Sequence, residues 1–231
     1  MNGKQGLVLG LVLVCFFTLA GGIIYHSYEQ SKDTFSAGVP PLDIENSLIP
    51  QQVDITKMHP PAPRPSDPVR FGSATSLASV IEFGDFECPA CKDQNTILLQ
   101  TLPQYHGAVR LIWRDLPITT ENPDAMAAAI FARCAEVQGK FWQAHDLLFS
   151  YAELNEVTYS NIEQLLGLDV TQMDACRQDS SVQQAIQADV DAARNDGVNS
   201  APFLFVGTTA HDSPVSAAEL NAELKEFLAS G

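Results

Sequence analysis

Basic residues are scarce: 13 Lys and Arg stand against 28 Asp and Glu in 231 residues, a net charge of −15. Residues 70–231 hold most of the imbalance, with 22 acids and 9 bases. Such a surface repels phosphate backbones, which argues against nucleic acid as a partner. Cysteines are few as well. There are 5, and Cys88 and Cys91 make the single closely spaced pair. A thiolate zinc site usually needs a second close pair, and Cys134 and Cys176 are far apart in sequence, so no metal is expected. No internal repeat is present. Beyond residue 25 there is no apolar run of membrane-spanning length. Hydrophobic content of 45% with 18% charged residues is nevertheless that of a chain that folds.

Residues 6–25 are uncharged, with Thr18 the single clearly polar side chain. About 20 helical residues span a hydrocarbon core. Lys4 precedes the run and Glu29 and Asp33 follow it, so the charge bias keeps the N-terminus cytoplasmic and sends the remainder outward. Thr18-Leu19-Ala20 is an imperfect cleavage site, and Ile23, Ile24 and Tyr25 continue the apolar run past it. A retained membrane anchor over 1–26 is therefore favoured over a cleaved signal segment. Cys15 follows the large Val14, which does not fit a lipoprotein acceptor. Either way the rest of the chain is extracytoplasmic, where an even set of cysteines suggests disulfide chemistry.

Residues 27–69 are rich in Pro and polar residues, with Pro40-Pro41, Pro60-Pro61 and Pro63-Arg64-Pro65, and read as an extended linker. One domain follows over 70–231. The apolar runs 79–83 and 108–113 predict buried strands on either side of a helix over 88–102, a crossover unit with a parallel pair. Helical patterns cover 123–138, 141–154, 160–168, 170–177 and 181–195, and 202–206 returns to strand character. A last helix opens on Ser216 and Glu219 in capping-box spacing. The fold class expected is α/β, a sandwich with a helical insertion.

The chemistry centres on Phe86-Glu87-Cys88-Pro89-Ala90-Cys91-Lys92. Two cysteines three apart at a helix start lie on one face, close enough to bond. The first sits near unpaired backbone N–H groups and the positive end of the helix dipole, which stabilise a thiolate. Pro89 fits the first turn, where its missing N–H has no intrahelical partner anyway. Cys88 is thus the attacking or leaving sulfur and Cys91 the resolving one. Glu82 lies six residues before Cys88 in an otherwise apolar strand. Buried beneath the pair, it would have a raised pKa and exchange a proton with Cys91, whereas at an exposed strand end it would do neither. Pro202 enters an apolar strand after Ala201, the position a central strand tolerates.

The stretches 79–92, 109–117 and 134–149 and the Pro202 strand together resemble the DsbA-like branch of the thioredoxin superfamily, over nearly the whole domain. The resemblance implies a thioredoxin-like fold whose inserted helical subdomain is 121–195. It implies Cys88 as nucleophile, Cys91 as resolving cysteine, a cis Pro202 facing them, Glu82 as a buried acid, and Ala201 as the residue whose backbone pairs with a substrate peptide. It further implies exported cysteine-containing proteins as substrates and a quinone-linked membrane partner of the DsbB or VKOR type. No cofactor is implied beyond the Cys88–Cys91 disulfide itself.

Three departures stand out. Ala90 replaces the histidine of strongly oxidising members, so a less extreme potential is expected. Ala201 is smaller than the usual Thr or Val, and 207–214 is unlike the family's hairpin. Cys134 and Cys176 fall on two predicted helices of the insertion. A disulfide between them is favoured over two buried free thiols. His145, between Trp142 and Phe149, reads as a packing residue.

Overall fold

The computed structural model of the protein describes residues 53–230. The expected anchor at 6–25 lies outside them, as does 27–52. Among the described residues no helix is long and apolar enough to cross a membrane.

The elements follow in the order β1 (Val69–Arg70), β2 (Ala78–Gly84), α1 (Pro89–Thr101), β3 (Val109–Asp115), α2 (Ala125–Val137), α3 (Phe141–Ser150), α4 (Glu156–Leu166), α5 (Val170–Gln178), α6 (Ser180–Asn195), β4 (Phe203–Val206), β5 (Thr209–His211) and α7 (Ala217–Ser230). The sheet order is β1-β3-β2-β4-β5. β2 and β3 are parallel, with Glu82 opposite Trp113, and β4 is antiparallel to β2, with Leu204 opposite Glu82.

Alternation along β2 divides the core. Val80 joins Leu111, Leu204 and Val206 beneath α1 and α7, where Leu98, Leu102, Leu220 and Leu224 cover them. Ile81 and Phe83 face the other way, with Ile112, Phe203 and Phe205, against Ala129 of α2 and Ile186, Val190 and Ala193 of α6. Glu82 shares the parity of Val80, so it points to the side that α1 covers. A third cluster holds the helical insertion together, including Phe131, Leu148, Tyr159, Ile162 and Met173. A disulfide joins Cys134 of α2 to Cys176 of α5, with Cα atoms 5.7 Å apart. It closes 42 residues, which contributes about 4 kcal/mol by loop-closure entropy.

Three parts of the sequence reading are refined. Residues 53–69 are not a free spacer: Val53–Gly231 is one compact unit. Ile55 and Met58 pack against the α6 side of the sheet. Asp67, buried, takes the guanidinium of Arg114 at 2.9 Å, and Arg114 also donates to the Ala62 carbonyl at 2.8 Å. Arg64 bonds to both Asp67 and Asp189. Polar residues here neutralise a buried cation rather than face water, which composition does not reveal. Second, 207–214, read as unlike the family's hairpin, begins with a hairpin of its own. Gly207, at φ 60, and Thr208 turn β4 into β5, with Val206 opposite Thr209. Third, the helix expected over 160–168 starts earlier, because Asn155 caps α4 by accepting from the N–H groups of Val157 and Thr158.

Candidate active site

β2 ends at Gly84, where an added Cβ would fall 2.2 Å from the Trp113 indole. That close approach lets the chain turn at once toward α1. Cys88 is the N-cap of α1 and Pro89 occupies its first turn. The Cys88 sulfur accepts from the Cys91 N–H at 3.4 Å and, as a thiol, donates to the Ala201 carbonyl at 3.3 Å. The Ala201–Pro202 bond is cis. The structure therefore brings Cys88, Cys91, Ala201 and Pro202 together. Pro89 is exposed, Ala90 half-buried and Cys91 fully buried.

The two sulfurs differ in acidity. The Cys91 thiol and the backbone N–H groups of Cys91 and Ala90 donate to Cys88 and bring its pKa down to about 7, against the opposing effects of burial and of Asp85. Cys91 is pushed well above the thiol range, first by burial, then by Cys88 and by Glu82. At neutral pH one sulfur is about half ionised and the other is not.

Glu82 is completely buried, and neither carboxyl oxygen has a partner among the described residues. Burial, helped by the nearby Cys88 charge, raises its pKa to about 8. At neutral pH it is thus a mostly protonated carboxyl close to the cysteine pair.

Two acids that the sequence reading passed over hold the turn. The buried Asp85 carboxylate accepts from the Glu87 N–H at 2.8 Å, the Ile118 N–H at 2.9 Å and the Asn122 amide at 2.8 Å. Its carbonyl accepts from the Cys88 N–H at 3.2 Å. Glu87 in turn accepts from the Asp124 N–H at 3.0 Å, tying the turn to the start of α2. The signal available was an acid three residues before Cys88 in a run with a second acid at Glu87. Asp85→Ala would strand two backbone N–H groups and lower stability by about 2–4 kcal/mol in a urea titration. A loss under about 0.5 kcal/mol would refute that role.

His145 behaves as read. Its ring is fully buried and meets Trp113, Trp142 and Phe149 edge-on at 4.7, 4.9 and 5.0 Å between centroids. Burial lowers its pKa, which keeps the imidazole neutral.

A cysteine pair at a helix head, one sulfur ionised and open, the other protonated and buried, facing a proline-led loop, defines a dithiol protein of the thioredoxin fold. The thioredoxin family profile matches residues 65–226. A thioredoxin-like oxidoreductase from Silicibacter pomeroyi superposes with a TM-score of 0.65 at 25% identity, over 73% of this chain and 95% of that one. The thiol-disulfide exchange protein alpha-DsbA2 from Wolbachia pipientis gives 0.63 at 22%, over 70% and 87%. Among curated relatives, a probable disulfide bond formation protein D of Bacillus anthracis is 28% identical over 59% of this chain and 68% of its own length. A Na(+)/H(+) antiporter NhaA 3 of Salinispora tropica is 34% identical over 72% of this chain. The chain spans 26% of that antiporter's length. The chain belongs to the thioredoxin family.

Proposed function

We propose that the chain works outside the cytoplasm as a dithiol oxidase, passing the Cys88–Cys91 disulfide to exported proteins. The observation that supports exchange chemistry, in either direction, is the half-buried Cys88 sulfur, capped by the Cys91 N–H and brought to a pKa of about 7 beside a buried partner. A thiolate that is stable when released is a good leaving group and favours the reduced enzyme over its disulfide.

The steps follow from the geometry. A substrate thiolate attacks Cys88 in the oxidised enzyme. The Cys88–Cys91 bond breaks and its electron pair leaves on Cys91, which takes a proton. Glu82, protonated at neutral pH and buried nearby, would supply it. A second substrate thiolate then attacks the substrate sulfur of the mixed disulfide. Cys88 leaves as a thiolate, the substrate is oxidised and the enzyme reduced. The Ala201 backbone, against Cys88, suits pairing with an extended substrate. Reoxidation would fall to a membrane partner of the DsbB or VKOR type, and the apolar run 6–25 would keep the domain at that membrane.

One observation favours a second reading, a disulfide reductase or isomerase: Ala90 offers Cys88 no side-chain donor. Equilibration with glutathione separates the oxidase from a reductase. A potential of about −120 to −180 mV is expected, the range of oxidases and isomerases, and one near about −270 mV would overturn the oxidase reading. Trapping with a Cys91→Ala variant should then recover mixed disulfides with exported proteins.

A further inference from the structure

Three residues before the nucleophile, Asp85 puts a negative charge into the turn that carries Cys88. The Cys88 N–H donates to the Asp85 carbonyl at 3.2 Å. A bond of that span closes a four-residue turn and holds the two α-carbons within about 7 Å. The Asp85 side chain is buried and held from three directions, by the Glu87 N–H, the Ile118 N–H and the Asn122 amide. All three donors are neutral, so none of them cancels the charge they hold. The segment before α2 thus fixes an anion close to a sulfur that must itself become one.

The other groups around Cys88 leave that charge standing. The Cys91 thiol of α1 donates to the sulfur, and Glu82 of β2 is mostly protonated at neutral pH. Glu87 and Lys92, on either side in the motif, have opposite signs. Phe149, Tyr151, Ala152 and Leu154, from the end of α3 and the loop after it, bring neither carboxylate nor cation. Ala201 and Pro202 bring none either.

We propose that Asp85 is a positioning residue that restrains the oxidising power of the pair: its fixed charge opposes a thiolate on Cys88 and so favours the disulfide over the dithiol. The inference rests on the exchange reading above and adds to it what sets the potential. When two substrate thiols become a disulfide, their two electrons break the Cys88–Cys91 bond. Charge then appears on Cys88, and Cys91 takes a proton. A like charge held close by in a buried turn costs free energy in that reduced state alone, because the disulfide carries no charge. The Asp85 charge accordingly works against the donors that lower the Cys88 pKa. Ala90 withholds a donor and Asp85 adds a repulsion, and both make a milder oxidant.

Three variants of the full chain separate charge from structure. Asp85→Asn removes the charge and keeps one acceptor oxygen. Asn122→Ala removes a donor and keeps the charge. Asp85→Asn combined with Asn122→Asp carries the charge across their hydrogen bond, away from the turn. Each is read by iodoacetamide alkylation of the reduced protein against pH, and by equilibration with glutathione. Asp85→Asn should bring the alkylation midpoint below about 7. It should also shift the glutathione equilibrium at least about threefold toward the dithiol, or about 14 mV at about 30 mV per tenfold. The double variant should shift both in the same direction. Asn122→Ala should unfold at lower urea concentration without lowering the midpoint. An unchanged or raised midpoint in Asp85→Asn would overturn the assignment. Should that variant be unfolded by circular dichroism, the same result in the double variant would overturn it. Equal downward shifts in Asp85→Asn and Asn122→Ala would also overturn it, in favour of a loosened turn. If the unaltered protein does not equilibrate with glutathione, the exchange reading falls, and the midpoints still decide whether Asp85 opposes the thiolate.

Discussion

Replacing Cys88 with serine is expected to slow alkylation of the reduced, folded protein at pH 7 by at least about a thousandfold and to reduce disulfide exchange to background. Cys88 is about half ionised there, whereas Cys91 is inaccessible and held above the ordinary thiol range by burial, by Cys88 and by Glu82. Only the thiolate reacts. The pH profile carries a finer expectation. The foremost cause of the low Cys88 pKa is the Cys91 thiol that donates to it. Cys91→Ala removes that donor, so the midpoint of alkylation should move up from about 7, while Cys91→Ser, which keeps a hydroxyl donor, should move it less. Iodoacetamide rates against pH, read by mass spectrometry, decide the matter. Equal rates at Cys88 and Cys91 in the unaltered protein would defeat the asymmetry, and the chain would lose its nucleophile.

Glu82→Gln should stabilise the reduced protein at pH 7 and make it a slower catalyst. In the folded chain the carboxyl titrates near 8, against an ordinary value of 4.5. Between those values the native state keeps a proton that the unfolded state has released, so stability falls as pH rises. The protonated acid costs nothing extra below about pH 4.5. By pH 7 the mismatch amounts to about 3 kcal/mol, and it stops growing above about pH 8. Gln cannot ionise, so its excess stability over the unaltered protein should grow from near zero at pH 4.5 to about 3 kcal/mol at pH 7. The lowered pKa of Cys88 acts oppositely between about 7 and 9, but it is present in both proteins and largely cancels in the difference. Urea titrations of both reduced proteins at pH 5, 7 and 9 measure this. Exchange at pH 7 should slow at least about tenfold for want of a proton carrier. Parallel stability curves would show that Glu82 is ionised in the fold or never buried.

Glu82 was legible because it is a lone acid in an apolar strand, and strand parity fixes which face it takes. The strands β2, β3 and β4 were legible for the same reason, as continuous runs buried on both sides of the sheet. β1 and β5 were not. Val69–Arg70 and Thr209–His211 have no periodicity to read, and they exist because a longer neighbour offers them a ladder. Asp67 and Arg64 were hidden differently. Their partners, Arg114 and Asp189, lie 47 and 125 residues away, and a Pro-rich composition gives no sign of such pairing. Asp85 gathers donors from residues 118 and 122 that no local pattern connects to it. The cysteine pair, by contrast, needs only its own helix for much of its character, so its place at a helix head and the lowered pKa of Cys88 could be read from seven consecutive residues.

The bond between Cys134 and Cys176 gives the molecule a dependence on its own kind of chemistry. Each newly made domain begins with four thiols, and two of them must be joined before the inserted helices are tied as described. On the proposed oxidase reading, a fresh copy would until then be a client for oxidation, and an older, already oxidised copy a competent donor. Production of the mature form would then accelerate as it accumulates, and a culture held under reducing conditions would hold a population that lacks the tie between α2 and α5.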